Sequence, residues 1–496
     1  MPPWPPFPTI YEINTWVWLH TLSQRYDRPV TLADVPDTEW DALQALGFDA
    51  IWLMGVWERS PLGREIARQH PDLQAEYRRA LPDFTPEDVV GSPYAVHQYR
   101  AAPELGGPEG LAAARAALRA RGLRLILDFV PNHVAVDHPW VTTHPEYFIQ
   151  GTEQDLQTAP DAFFRAGGAI IAHGRDPYFP AWTDTAQLNA FHPALRQAAV
   201  DTLRTIGDQC DGVRVDMAML MMTRIFEGTW GDRAGTPPTR DFWPLVIQAV
   251  KATHPDLLFI AEAYWDLEWD LQQQGFDYCY DKRLYDRVTH NSAPAINDHV
   301  HADQAFQHKL VRFLENHDEP RAAAILAPRN LQAAMLVVAT LPGARLLHEG
   351  QLEGSRVRLP VQLGRRQHEN TNAHLQAFYH TLLELLRHPV FHHGTWQLCE
   401  RTGWPDNHTY EHLLAWCWEY EEERRLIVVN LSDTAAQARV KVPWTDLNTS
   451  MWALHDPFNG DRFLRYGNEM VDPGLYVGLG AYGTHFLIFE KSAPGS

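Results

Sequence analysis

Cysteine is scarce. The 496 residues contain four, Cys210, Cys279, Cys399 and Cys417, which are scattered and form no CxxC pair. That spacing excludes a zinc cage or a disulfide framework and leaves buried thiols. Basic charge is also short, with 42 Lys and Arg against 62 Asp and Glu and a net charge of −20. Such a balance repels phosphate backbones and anionic lipid, so neither nucleic acid nor a membrane is expected as a partner. The chain has no apolar run of the roughly 20 residues that a membrane-spanning helix needs. The opening stretch, MPPWPPFPTIYEINTWVWLH, lacks a basic segment followed by an apolar one, so no secretion signal is read and a cytoplasmic location is expected. No GxGxxG follows an early strand, which argues against an open dinucleotide-binding sheet. Internal repeats and low-complexity tracts are absent.

What remains is a chain that is 45% hydrophobic and long enough for one large barrel with appendages. Short apolar runs alternate with helical patterns over the first 350 residues. Strands are read at 10–18, 48–57, 123–133, 212–218, 257–265, 276–285, 310–321 and 344–351. Helices are read near 38–46, 193–206 and 330–341, and in GPEGLAAARAALRARG, where Pro108 opens and Gly122 follows the helix. Eight strands with crossovers long enough for helices predict a closed parallel α/β barrel. Residues 134–192 break the rhythm with Pro, Gly, His and aromatics, and after about 393 the pattern turns to strands around charged turns. The expected fold is a (β/α)8 barrel with an irregular insertion after strand three and a C-terminal antiparallel β-sandwich. The expected divisions are barrel at 1–133, insertion at 134–192, barrel again at 193–392 and β domain at 393–496.

In such barrels the chemistry lies where strands end. Polar residues collect at those ends: Asp128, Asn132 and His133 after strand three, Arg214 and Asp216 in strand four, Glu262 after strand five, and Glu315 to Asp318 after strand seven. Three carboxylates, Asp216, Glu262 and Asp318, thus converge from three strands, together with His133, His317 and Arg214. Burying several like charges is costly, so stability alone would not select the arrangement. Two carboxyl groups about 5 Å apart suit glycoside hydrolysis with retention. A carboxylate cluster could also hold Mg²⁺ for phosphoryl transfer, but no phosphate-cradling loop accompanies it. Eighteen Trp and 17 Tyr offer faces for sugar rings, although such residues also serve as ordinary core.

Four stretches closely resemble the short motifs of the α-amylase superfamily, glycoside hydrolase family 13. They are DFVPNH (128–133), GVRVDMAM (212–219), IAEAYW (260–265) and ENHDEPR (315–321), in the family's order. The resemblance implies that Asp216 is the nucleophile, Glu262 the general acid/base and Asp318 the stabiliser of an oxocarbenium-like transition state. It implies that His133 and His317 hydrogen-bond the same sugar ring, and that Arg214 keeps Asp216 ionised and aimed. VVGSPYAVHQYR (89–100) resembles the segment whose tyrosine stacks on the sugar, which makes Tyr94 a candidate.

Departures from the family pattern are informative. Met219 and Leu220 stand where many α-amylases carry a Lys-His pair on the leaving side, which places Met219 at the acceptor subsite and argues against an ordinary starch-cleaving site. In DTAQLN (184–189), Gln187 replaces an aspartate that often ligates calcium; Asn132 remains, and no metal or other cofactor is expected to be required. The leading expectation is a retaining α-glycoside hydrolase or transglycosylase acting on disaccharides, short α-glucosides or maltooligosaccharides. A disaccharide isomerase or phosphorylase is the alternative, with Arg321, Arg356 and Arg358 available to a phosphate or substrate. A non-catalytic binding protein fits less well, because all three acids and both histidines are kept.

Overall fold

The computed structural model describes residues 3–492. Eight parallel strands close into a barrel in sequence order: β1 (Thr9–Asn14), β2 (Ala50–Met54), β3 (Arg124–Phe129), β4 (Gly212–Val215), β5 (Leu258–Ala261), β6 (Tyr278–Tyr280), β7 (Leu310–Phe313) and β8 (Ala344–His348). β8 pairs back onto β1, with Glu12 opposite His348. The (β/α)8 barrel expected from the strand pattern is therefore present.

Crossovers are made by helices whose sequences specify them. In α1 (Gly107–Ala120), Pro108 occupies the first turn and Leu111, Ala114 and Leu118 form the buried stripe against the barrel. In α2 (Pro193–Gly207), Leu195, Ala199, Val200, Leu203 and Ile206 do the same. Helices α3 (Phe242–Lys251) and α4 (Pro328–Thr340) complete the crossovers that matter for the site.

Alternation along each strand sorts the residues between the barrel interior and the helix layer. Ile10, Trp52, Ile126, Ile260, Val311 and Leu346 form an apolar floor inside the barrel. Two residues further along the same faces come Glu12, Asp128, Glu262 and His348, so the polar ring lies one layer above that floor. Arg214 is in register with Asp128 on one side and Ile260 on the other.

The insertion after β3 is anchored by an antiparallel pair, His133–Ala135 with Thr185–Gln187, and encloses a small core around Phe148, Ile171 and Leu188. The C-terminal domain is antiparallel, with a six-stranded sheet and a three-stranded one packed over Leu426, Val440, Leu454 and Leu487. Trp416 and Trp418 tie it to the barrel by donating their indole N–H groups to Thr340 of α4, at 3.1 and 2.7 Å.

All eight strand readings overran their strands, and the run 10–18 already turns at Asn14 into a helix over Thr15–Arg25, which Asn14 caps by accepting from Val17 N. The run 276–285 stops as a strand at Tyr280, because Asp281 caps a helix over Lys282–Thr289 by accepting from Leu284 N. The run 310–321 stops at Phe313, and ENHDEPR is all loop and turn up to Arg321. In the connection 58–107, the structure adds helices at Pro61–Gln69 and Pro71–Ala80.

Candidate active site

One guanidinium organises the mouth of the barrel. Arg214 Nη1 lies 3.0 Å from Asp216 Oδ1 and 3.9 Å from Asp128 Oδ1, and Nη2 lies 2.9 Å from Glu262 Oε2. The group is buried and faced by the rings of Trp52, Tyr94 and Tyr280 at 5.3, 5.3 and 5.7 Å. Its Nη2 contact with Glu262 is a charge contact and not an aligned hydrogen bond.

Glu262 is held from both oxygens. Met217 N donates to Oε2 at 2.7 Å and the Tyr264 hydroxyl donates to Oε1 at 2.9 Å. Met217 reaches that carboxylate because its backbone adopts φ +42°, a left-handed conformation that a non-glycine residue rarely takes. Burial and the charge of Glu262 push Asp216 up to about 8, against the pull of Arg214. The expectation that Arg214 by itself keeps Asp216 ionised is therefore corrected. One cation divided among three carboxylates cannot satisfy each of them.

The other half of the mouth is built on His317. Its Nδ1 faces Glu12 Oε1, its Nε2 lies 3.0 Å from Asp318 Oδ2, and the Tyr94 hydroxyl is 2.6 Å from the same Nε2. Burial favours the neutral ring, but Asp318 and Glu12 outweigh it and hold His317 well above the usual imidazole range. Asp318 in turn is buried enough for its pKa to be raised, yet the His317 charge holds it well below the usual carboxylate range. Its side chain is 41% exposed, so the carboxylate opens onto the cleft. Glu12 was not anticipated. Its signal was there: a lone carboxylate inside the apolar strand IYEINTWVW, the same anomaly that Arg214 and Asp216 present in β4.

His133 is buried against Trp182, ring centres 5.0 Å apart, and burial lowers it to about 4, leaving a neutral imidazole. Met219 and Leu220 are fully buried in a 3₁₀ turn over Ala218–Met221 and turn away from the cleft. The residue that faces it is Met217, which with Phe179, Tyr264, Trp265 and Glu319 lines an opening of about 540 Å³. Placing Met219 at the acceptor subsite is thus corrected by two residues. Arg321 is also corrected: it is buried, and its Nη1 donates to Glu315 Oε1 (2.7 Å), His348 Nδ1 (2.9 Å) and Glu349 O (2.7 Å), which commits it to the fold and not to a substrate or phosphate. Near the insertion, the Gln187 amide N–H₂ donates to Asn132 O, Asn132 Oδ1 and Leu188 O at 2.9, 2.9 and 3.0 Å. Three oxygens converge there on an uncharged donor.

The model of the α-amylase catalytic domain matches residues 38–413, and the chain belongs to that family, glycoside hydrolase family 13. The class so defined is that of α-amylase-type catalytic domains, to which the barrel and its convergent acids conform. It is 26% identical over 366 residues to the α-amylase MalA of Haloarcula japonica, covering 72% of this chain and 46% of that one. It is 29% identical over 228 residues to an α-1,4-glucan:maltose-1-phosphate maltosyltransferase of Rhodospirillum rubrum, covering 45% of this chain and 27% of that one. The chain thus spans less than half the length of these curated relatives. Its fold is that of the maltogenic α-amylase AmyB of Thermotoga neapolitana, with a TM-score of 0.69 at 20% identity over 97% of this chain and 98% of that one. No helix among the described residues is long and apolar enough to cross a membrane.

Proposed function

We propose that this enzyme cleaves or transfers short α-glucosides and maltooligosaccharides with retention, through a covalent β-glycosyl ester on Asp216. Glu262 protonates the leaving oxygen as the C1–O bond breaks and C1 bonds to an Asp216 oxygen. Water or an acceptor hydroxyl then displaces the ester and gives its proton back to Glu262. Asp318 and the imidazolium of His317 face the ring as positive charge develops at C1. Tyr94 packs on the same side, its ring stacked near His317 with centres 5.5 Å apart.

The observation that carries this reading is the sharing of Arg214 between Asp216 and Glu262 at 3.0 and 2.9 Å, with Glu262 fixed by Met217 N and Tyr264. That geometry brings a nucleophile and an acid to the same guanidinium from two different strands, the arrangement that retention requires. Hydrolysis, transfer and isomerisation share the ester and differ only in what attacks it. Beside Glu262 the opening is lined by Met217, Tyr264 and Trp265, with Asp176, Lys282, Arg283 and Glu319 further round it, apolar faces and polar groups that together suit a sugar acceptor.

The test is a pair of variants assayed on maltose, maltotriose, sucrose, trehalose and isomaltose, with and without phosphate. Asp216→Asn is expected to lower turnover by about 10⁴-fold or more with the fold intact. Glu262→Gln is expected to retain activity toward activated leaving groups and to recover with azide. Unchanged turnover in Asp216→Asn would refute the nucleophile.

A further inference from the structure

The two sides of the carboxylate pair differ in the space they leave. Beyond Glu262 the opening holds about 540 Å³. Behind His317, Asn14, Arg321, His348, Val357, Leu359 and Arg366 close around a void of about 20 Å³, room for a water or two.

Two loops close that side. The chain leaving β8 meets the chain that follows β2 in a reciprocal backbone pair, Val90 N to Gln362 O and Gly364 N to Asp88 O, each 2.8 Å. Arg365 grips Asp88 with two bonds of 2.6 and 2.8 Å and reaches Asp83 at 3.1 Å. Arg59 Nη1 donates across the same seam, to Gly91 O at 2.6 Å and Val361 O at 3.3 Å. Beneath the seam Tyr77, Leu81, Val89 and Leu363 are fully buried in a small core, with Val357 and Leu359 packed on it. Opening the seam would expose that core to water, which makes it a wall and not a flap.

Arg358 stands on this wall between Val357 and Leu359. It is exposed and has no hydrogen bond or ion pair among the described residues, while its charge acts on Asp318. An unpartnered guanidinium at that rim is placed to receive hydroxyls of a ring seated over Asp318.

Which side receives which sugar follows from the roles proposed above, on which this inference rests. The acid lies on the leaving side, so the donor ring lies toward Asp318, His317 and Tyr94. We propose that the β8–β2 wall ends the donor side after one ring, so that the enzyme takes a single α-glucosyl unit from the non-reducing end of its substrate. Longer chains extend only into the opening beyond Glu262, and a maltosyl donor is excluded by collision with the wall.

The experiment compares α-glucosyl fluoride with α-maltosyl fluoride on the full chain, read as fluoride release. In both, the C1–F bond breaks as Asp216 bonds to C1 and the proton of Glu262 passes to the departing fluorine, the HF ionising to fluoride in bulk water; water then frees the sugar and returns a proton to Glu262. The two differ only by the second ring, which must point into the wall. The expected result is a kcat/KM for α-glucosyl fluoride about 100-fold or more above that for α-maltosyl fluoride. Equal rates, or a preference for α-maltosyl fluoride, would overturn the wall and point to maltosyl transfer. Release from neither fluoride would refute the retaining mechanism itself, and this inference with it.

Discussion

Two buried arginines at the barrel mouth look alike in the sequence and behave differently in the fold. Arg321 has settled partners: Glu315 takes its Nη1–H on one oxygen and the Ala322 N–H on the other, both at 2.7 Å. Burial alone would raise Glu315, but Arg321 and His348 hold it below the usual carboxylate value. Arg214 has three claimants, Asp128, Asp216 and Glu262, and one of them, Asp216, stands at about 8. A satisfied pair is structure. An unsatisfied cluster, facing a cleft, stores the proton that acid–base chemistry uses. The two also differ in outlook: Ala322 N caps Glu315, whereas Glu262 is held by Met217 and Tyr264, which line the substrate opening.

The sharpest way to break this comparison is to remove each cation in turn. Arg214→Met is expected to lower kcat by about 10³-fold, because the pair it organises loses both its aim and its shared counter-charge. Arg321→Met is expected to cost about 3 kcal/mol of stability by leaving Glu315 buried and unpaired, with kcat per folded molecule within about threefold of wild type. Urea unfolding and active-site titration separate the two. If Arg321→Met proves the more damaging to turnover of folded protein, the division between structural and catalytic arginine fails.

A smaller effect sharpens the same contrast through pH. Asp216 is raised in the fold to about 8 from its ordinary value of 3.8. Between those values the folded chain binds a proton that the unfolded chain has released, so this group makes stability fall as pH rises. Asp216→Asn removes the cost, and its melting temperature is expected to exceed that of wild type by roughly 2 °C at pH 8 and to converge with it near pH 4. The mirror case is Glu315, whose lowered value contributes stability above the unfolded carboxylate pKa that is lost as pH falls through the folded one. For Glu315→Gln the deficit is therefore expected at neutral pH and should shrink on acidification. In the wild-type enzyme, kcat/KM is expected to rise as pH approaches about 8, because Asp216 attacks C1 as the carboxylate.

Much of this was legible in the residues, and the omissions have physical causes. Strand alternation located all eight barrel strands, because an apolar run bounded by Gly, Pro or a cap survives any tertiary context. It could not place ends, since Asp281 reads equally as a strand residue or a helix cap until Leu284 N is seen to reach it. Charge in an apolar run exposed Arg214 and Asp216, and the same test applied to Glu12 would have found the partner of His317. Met219 misled because a motif position fixes order along the chain and not burial, and the backbone turns at Met217 into a 3₁₀ segment that buries Met219. The wall over β8 joins residues more than 270 positions apart, such as Arg365 and Asp88, and no local pattern announces a contact of that range.

The smallest effect concerns the insertion, where a neutral group holds three converging oxygens. Gln187 is fully buried, and its N–H₂ supplies the donors that Asn132 O, Asn132 Oδ1 and Leu188 O require. Its own Oε1 accepts from Arg175 N at 3.2 Å and from Asn132 Nδ2 at 3.3 Å, so both ends of the amide are used. A chelator is therefore expected to leave the melting temperature and activity of wild type unchanged. Gln187→Glu keeps the shape but turns the donor into a charge facing oxygens, which is expected to cost about 1–3 kcal/mol. If those oxygens are disposed as cation ligands, millimolar calcium should restore the loss in Gln187→Glu while doing nothing for wild type. Loss of wild-type stability on chelation would show that the amide does not do the cation's work, and would reopen the insertion as a metal site.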